Sequence, residues 1–140
     1  MPSCPQACLP GRFPLILAFS PRGEGTEGTM FTHKLDDDTL IRSYNIDDAP
    51  ALHEVLKGEH EHLLVWMPWP DLEKTLGDRR EFIRRCTQQE ADGDGFQTAI
   101  FHRGELAGSV GFHGIDHANL STSIGYWLAE RHQGKGIMTR

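Results

Sequence analysis

The most constraining stretch of this sequence is its last, from Ile124 to Arg140. It begins with the apolar and aromatic run Ile-Gly-Tyr-Trp-Leu and continues through a turn in which one residue separates Gly134 from Gly136. Apolar and aromatic runs of this kind are typical of strands, and glycines are typical of tight connections. The sequence therefore predicts a strand, a glycine turn and then a helix that starts at Ile137.

This junction has the properties of an anion-binding site. The first N–H groups of a helix have no partner inside it, and the helix N-terminus carries a partial positive charge. Gly134 and Gly136 have no Cβ to block a phosphate, and Gln133 and Lys135 add side-chain donors. A tight loop without a ligand explains the glycines about equally well. The stretch lacks the Gly-Lys-Ser/Thr ending of a P-loop and the third glycine of a dinucleotide fingerprint, which disfavours nucleotide hydrolysis and hydride transfer.

Two segments carry a resemblance to a known family. The pattern Arg131-x-x-Gly134-x-Gly136, directly after the aromatic strand, resembles the acyl-CoA-binding motif of the GNAT superfamily of N-acetyltransferases. Within that superfamily the sequence resembles the branch that acetylates the N-termini of ribosomal proteins. The similarity extends over about residues 39–140 and is also specific at Trp66-Met67-Pro68-Trp69.

The resemblance implies an α+β fold, with a mixed, mostly antiparallel sheet flanked by helices. Because the family continues with further strands and a helix, residues 30–140 are expected to form the N-terminal part of an acetyltransferase domain that is incomplete at its C-terminus. Residues 1–29 are rich in proline and glycine and show no helical or strand period, which predicts a disordered extension. Met30 is then a candidate for the natural start of the protein.

The resemblance also implies a co-substrate and its contacts. The reaction would transfer an acetyl group from acetyl-CoA to a primary amine, either a protein N-terminus or a small amine, without a covalent enzyme intermediate. Backbone groups at the end of the aromatic strand would hold the pantetheine arm, and the glycine turn would hold the pyrophosphate. The residues expected at this site are Tyr126, Trp127, Leu128, Arg131, Gln133, Gly134, Lys135, Gly136, Ile137, Met138 and Thr139.

The sequence identifies the catalytic base less clearly than the acetyl-CoA contacts. Many relatives carry Glu directly before Ile-Gly-Tyr-Trp, but Ser123 occupies that position here. Serine is a weak base, so a water relayed past Ser123, His113 or Asp116 is the alternative. The aromatic side chains Trp66 and Trp69 are either plain packing or a wall of the acceptor cleft, where their ring faces would attract an incoming amine.

Composition narrows the class of protein further. A chain of 140 residues has room for one domain with a core, and a net charge of −6 argues against direct binding to nucleic acid. Three cysteines form no disulfide framework, which favours a reducing compartment such as the cytoplasm. No run approaches the roughly 18 apolar residues of a membrane span.

A metal site is not predicted. His60-x-His62 and Cys4-x-x-x-Cys8 lack further ligands at suitable spacing, and His60 and His62 are expected to be solvated surface residues. His113 and His117 lie four residues apart on a predicted loop, with His113 facing the cleft.

The remaining elements follow from periodicity and capping signals. Asp47 is expected to cap the first helix, and Thr75-x-x-Asp78 forms a capping box for the second, with Cys86 on its core side. Arg79, Arg80, Arg84 and Arg85 are expected on its solvated face. The predicted elements are a strand at Thr39–Tyr44, helices at Asp47–Gly58 and Thr75–Ala91, and strands at Phe96–His102, Glu105–Phe112 and Leu120–Leu128.

Two other functions remain open from the sequence. The chain could be a non-catalytic acyl-CoA-binding module or an inactive fragment, either because the expected base is replaced or because the domain is incomplete. A plain nucleotide- or phosphate-binding domain would rest on the glycine turn alone, and the aromatic strand before that turn disfavours it.

Overall fold

The computed structural model of the protein describes residues 31–67 and 75–140. These form one five-stranded sheet in the order β1-β2-β3-β4-β5, and each strand pairs antiparallel with its neighbour. The strands are β1 (Thr32–Lys34), β2 (Thr39–Ser43), β3 (Gly95–His102), β4 (Glu105–Asp116) and β5 (Ser121–Leu128). The helices are α1 (Ala49–Gly58), α2 (His60–Leu64) and α3 (Leu76–Asp92). The predicted α+β class is confirmed, whereas the extension at residues 1–29 and Met30 lie outside the described residues.

The predicted strands agree with the structure to within a few residues. β4 is longer than predicted because its pairing with β5 resumes at Asp116, beyond an irregularity after His113. The predicted turn at Arg103-Gly104 is confirmed, and both residues have positive φ values, of 51° and 79°. This is the backbone of a tight hairpin turn. The short strand β1 and the helix α2 were not predicted.

The predicted cap of the first helix is wrong by one residue, since Asp48 occupies the N-cap position of α1 and makes no side-chain capping hydrogen bond there. Asn45 caps a 3-10 turn at Ile46–Asp48 that leads into α1, because its side chain accepts a hydrogen bond from the Asp47 N–H (3.0 Å). The Asp48 carboxylate accepts in return from the Asn45 N–H (2.7 Å). Arg42 binds the same carboxylate through both terminal nitrogens, at 2.6 and 2.7 Å.

The second predicted helix, α3, is confirmed together with its capping box. Thr75 Oγ1 accepts from the Asp78 N–H (3.1 Å), and Asp78 Oδ2 accepts from the Thr75 N–H (2.8 Å). Cys86 is buried, as predicted, but the expectation that Arg79 is solvated is wrong, since Arg79 is only 3% exposed. Arg79 lies four residues before Ile83 and seven before Cys86, which places it on the buried face of the helix. The other three arginines are exposed, as predicted.

The sheet buries apolar side chains on both faces. The main core lies against the helices and includes Leu52, Leu56, Ile83 and Trp127. A smaller cluster on the opposite face joins Ile100, Ala107 and Ile137, with Leu128 packed against it. The end of β5 is therefore anchored on both faces, through Trp127 on one and Leu128 on the other. Among the described residues, no helix has the length and apolar character to cross a membrane.

Candidate functional site

Strand β5 presents one edge that no other described strand pairs with. The Ala129 N–H donates to the Ala107 carbonyl (2.8 Å), which continues the ladder between β4 and β5. Because backbone groups alternate between the two sides of an antiparallel strand, Trp127 faces β4, whereas Tyr126 and Leu128 direct their N–H and C=O groups away from it. The Leu128 carbonyl accordingly accepts from the Gln133 side chain (3.2 Å). This edge offers backbone hydrogen bonds to an extended ligand.

The predicted glycine turn follows directly after this edge. Gly134 and Gly136 adopt left-handed backbone conformations, with φ values of 72° and 71°. A Cβ at either position would meet no heavy atom within 4 Å, so the space over the turn is open. The conformation explains why glycine is required there. A 3-10 turn at Ile137–Thr139 comes next, and Ile137 is buried against the sheet.

The charged and polar side chains of the turn differ in the contacts that they make. Arg131 lies near Glu105, with 3.6 Å between nitrogen and oxygen, and its Nε donates to His132 Nε2 (3.2 Å). The Gln133 amide nitrogen contacts the Leu128 carbonyl and the His62 ring. Lys135 is exposed. Arg131 is exposed as well, so the turn carries two cationic side chains that reach solvent.

A buried histidine lies beneath the turn. His132 is 4% exposed, its ring packs edge-to-face on His102 (5.8 Å between centroids), and His102 Nδ1 is 2.9 Å from Thr39 Oγ1. Burial, reinforced by the charges of Arg131 and Lys135, lowers the pKa of His132 below its usual value. A neutral His132 thus supports the turn from inside. Sequence reasoning missed this pair, because neither alternation nor spacing distinguishes a buried histidine from an exposed one.

The junction between α1 and α2 contacts the turn from a distant part of the chain. Glu59 Oε2 accepts from the Glu130 N–H (2.9 Å), and the Gln133 amide nitrogen lies 2.9 Å from His62 Nε2. The expectation that His60 and His62 are solvated is wrong, since both are half-buried. Within the described residues, no group of three or more His, Cys, Asp or Glu side chains could hold a metal ion.

A cavity of about 550 Å³ lies on the helix side of the sheet, between α3 and strands β3 to β5. Its walls combine aromatic and polar side chains, which include Phe82, Trp127, Gln97, Ser109 and His113. Tyr126, at the exposed edge of β5, also lines it. The cavity and the edge of β5 are therefore neighbouring parts of one site.

The structure brings His113 and Ser123 together. They are register partners on β4 and β5, so their side chains lie on the same face of the sheet. His113 lines the cavity, and its Nδ1 is 2.8 Å from Gln97 Nε2. Asp116 accepts instead from the N–H groups of Ala118 and Asn119, at 2.9 Å each. Gln97 was not singled out from the sequence.

Of the two tryptophans predicted at the acceptor side, Trp66 is 78% exposed and lies two residues beyond the end of α2. Met67, next in the chain, lines the cavity. Trp69 lies outside the described residues. His117 does not join His113, because its Nε2 donates to the Gly93 carbonyl (3.0 Å).

Comparison with known proteins agrees with this geometry. The E. coli (strain K12) ribosomal-protein-serine acetyltransferase is 33% identical over 109 residues, which cover 78% of this chain and 61% of that protein. YdaF of Bacillus subtilis (strain 168) is 32% identical over 111 residues, or 79% of this chain and 61% of YdaF. The chain thus spans about three fifths of the length of both relatives.

Solved structures show the same fold. The ribosomal L7/L12 alpha-N-protein acetyltransferase RimL, in complex with coenzyme A, has a TM-score of 0.74 at 27% identity, covering 77% of this chain and 61% of RimL. The microcin C7 self immunity acetyltransferase MccE, in complex with acetyl-CoA and AMP, has a TM-score of 0.72 at 29% identity, covering 74% of this chain and 58% of MccE. The family model of the acetyltransferase (GNAT) domain matches residues 38–140. The chain therefore belongs to the GNAT acetyltransferase family.

Proposed function

We propose that the protein transfers an acetyl group from acetyl-CoA to a primary amine, and that the natural amine is a protein N-terminus like those of ribosomal proteins. The observation that supports this most directly is the open glycine turn at Gly134 and Gly136, placed at the end of an unpaired strand edge and beside a cavity. Among the proteins named above, the E. coli relative is a ribosomal-protein-serine acetyltransferase and RimL is a ribosomal L7/L12 alpha-N-protein acetyltransferase. A cytoplasmic location is part of this proposal, because ribosomal proteins would be substrates there.

The co-substrate fits the turn and the strand edge. Its pyrophosphate would lie over Gly134 and Gly136, where an added Cβ would meet no heavy atom within 4 Å and Lys135 supplies a positive charge. Its pantetheine arm carries amide groups, which would pair with the outward backbone groups of Tyr126 and Leu128 as an added strand. The thioester would then lie near the cavity.

Acetyl transfer requires bond formation, bond cleavage and proton transfer at this site. The neutral amine nitrogen attacks the thioester carbonyl carbon, the bond between carbon and sulfur breaks, and the thiolate leaves and takes up a proton. The amine loses a proton to a base. A backbone N–H at the edge of β5 would stabilise the negative charge that develops on the carbonyl oxygen.

His113 is our candidate for the base, in contact with the amine directly or through water. Gln97 presents its amide to His113 Nδ1 (2.8 Å). The same amide nitrogen lies 3.2 Å from His113 Nε2, so Gln97 contacts both ring nitrogens and orients the imidazole. Ser123, the register partner of His113, would hold the intervening water. Trp66 and Trp69 would border the incoming peptide.

A direct experiment combines binding with turnover. Calorimetry with acetyl-CoA, ATP and NAD tests the co-substrate, and acetylation of peptides with a free or a blocked N-terminus tests the acceptor. Acetyl-CoA binding with transfer only to free N-termini is the expected result. Tighter binding of ATP or NAD, or transfer to lysine side chains alone, would contradict the proposal.

The second candidate function is a non-catalytic acyl-CoA-binding module. It is favoured by Ser123, which stands where many relatives carry a glutamate. Binding of acetyl-CoA without transfer to any N-terminal peptide would support this function over catalysis.

A further inference from the structure

Two hydrogen bonds connect the α1–α2 junction with the turn after β5. Glu59 is both the C-cap of α1 and the N-cap of α2, and its Oε2 accepts from the backbone N–H of Glu130 (2.9 Å). His62, on α2, contacts the Gln133 side chain (2.9 Å). Each bond joins residues that are 71 positions apart in the sequence. The bonds therefore connect two segments that are far apart in the sequence.

The Leu128 carbonyl determines which atom donates in the bond between Gln133 and His62. The Gln133 amide nitrogen also lies 3.2 Å from the Leu128 carbonyl oxygen, which can only accept. The atom of Gln133 that faces this oxygen must therefore be the NH₂ group. The same NH₂ group faces His62, so His62 Nε2 is the acceptor of the second bond. Gln133 bridges α2 and β5 in this way.

We propose that Glu59 and His62 are positioning residues that hold the glycine turn in the conformation that binds the pyrophosphate of acetyl-CoA. This inference rests on the function proposed above. A turn with two glycines loses much conformational entropy when it is held in one conformation. This loss weakens ligand binding unless the turn already has that conformation in the free protein. The clamp, defined as Glu59 and His62, fixes the turn at Glu130 and Gln133.

The other end of the turn is fixed by packing. Ile137 is 4% exposed and belongs to the apolar cluster on the far face of the sheet. Gly134 and Gly136 thus lie between a polar anchor and an apolar anchor. The clamp also connects the turn to the acceptor side, because α2 leads directly into Trp66 and Met67, and Met67 lines the cavity.

The test of His62 uses two amide replacements that differ in reach. The amide of His62→Gln extends to the position of imidazole Nε2 and can still accept from Gln133, whereas the amide of His62→Asn extends only to the position of Nδ1. We expect His62→Ala and His62→Asn to weaken acetyl-CoA binding about fivefold, as for one lost hydrogen bond, and His62→Gln to restore it. His60→Ala, on the same helix, is the matched control.

A second measurement does not depend on the ligand. Amide hydrogen exchange of residues 130–137 in the full chain should be faster in the double variant Glu59→Ala/His62→Ala than in the matched double variant Glu61→Ala/His60→Ala. Exchange in the core strand β3 should stay slow in both, which reports that the fold is intact.

The outcomes separate the clamp from the function. Weaker binding together with faster exchange in the turn supports the clamp. Unchanged binding and unchanged exchange overturn it, as does equal weakening by His62→Gln and His62→Asn. If the parent chain binds no acetyl-CoA, the proposed function fails, and exchange in the turn still decides whether Glu59 and His62 hold it in place.

Discussion

The His113 ring lies directly over Gly125 on the neighbouring strand. A Cβ at Gly125 would lie 2.7 Å from His113 Nε2, which is too close for any real contact. A side chain at Gly125 would therefore collide with the imidazole above it, although the backbone of Gly125 does not have a positive φ. This packing holds His113 against the floor of the cavity, next to the edge of β5.

Gly125→Ala should displace the imidazole and slow acetyl transfer. Misplacement of a catalytic group by about 1 Å can cost on the order of 100-fold in rate. We expect kcat to fall at least about tenfold, while the dissociation constant for acetyl-CoA changes little. Steady-state kinetics and calorimetry measure the two quantities. Gly58→Ala, where an added Cβ meets nothing within 4 Å, is the control and should keep normal kinetics.

Removal of His113 should affect turnover and its pH dependence. General bases typically contribute about 10²- to 10⁴-fold in rate, so His113→Ala should reduce kcat by about 100-fold or more. Gln97→Leu should weaken the orientation of the ring and shift the pH dependence of kcat with a smaller loss. Both variants should bind acetyl-CoA normally. A His113→Ala protein with normal turnover at every pH would remove His113 as the base.

Gly134→Val should abolish tight binding of acetyl-CoA. Gly134 has a φ of 72°, and the left-handed conformation costs an ordinary residue roughly 1–2 kcal/mol, and a β-branched residue more. Gly104→Val is a matched control, because Gly104 has a φ of 79° but lies in the hairpin between β3 and β4. We expect similar losses of stability in the two variants and a loss of acetyl-CoA affinity in Gly134→Val alone. Equal affinities in calorimetry would place the ligand elsewhere.

Stability should fall as the pH drops below neutrality, through His132. Its pKa is lowered in the folded protein, chiefly by burial, so the unfolded chain binds the proton more readily. The contribution of His132 is therefore complete above the unfolded pKa of about 6.5 and is lost as the pH falls through the lower folded pKa.

Urea unfolding between pH 5 and pH 8 measures this effect. His132→Phe, which keeps a buried ring without a titrating group, should flatten the dependence over that range. Equal pH dependence in the parent chain and in His132→Phe would assign the acid sensitivity to other groups.

Part of this structure can be predicted from the sequence, because it depends on residues that are close together in the chain. The capping box of Thr75 and Asp78, the turn at Arg103-Gly104 and the strand that leads into Gly134 each depend on residues a few positions apart. The burial of Cys86 is also predictable, because it follows from the helical spacing of apolar residues along α3. The family motif lies within one such local segment, which is why the candidate ligand turn could be named in advance.

Contacts between distant segments were decided by the tertiary structure alone. Nothing in the sequence near His62 or Glu59 indicates that they meet a turn 71 residues away, and nothing near His132 indicates that it packs on His102. Polar residues follow no hydrophobic period, so their partners become apparent only once the sheet and helices are assembled. The sequence alone therefore determined the glycine turn and the strand before it, whereas only the packed fold decided what holds that turn in place.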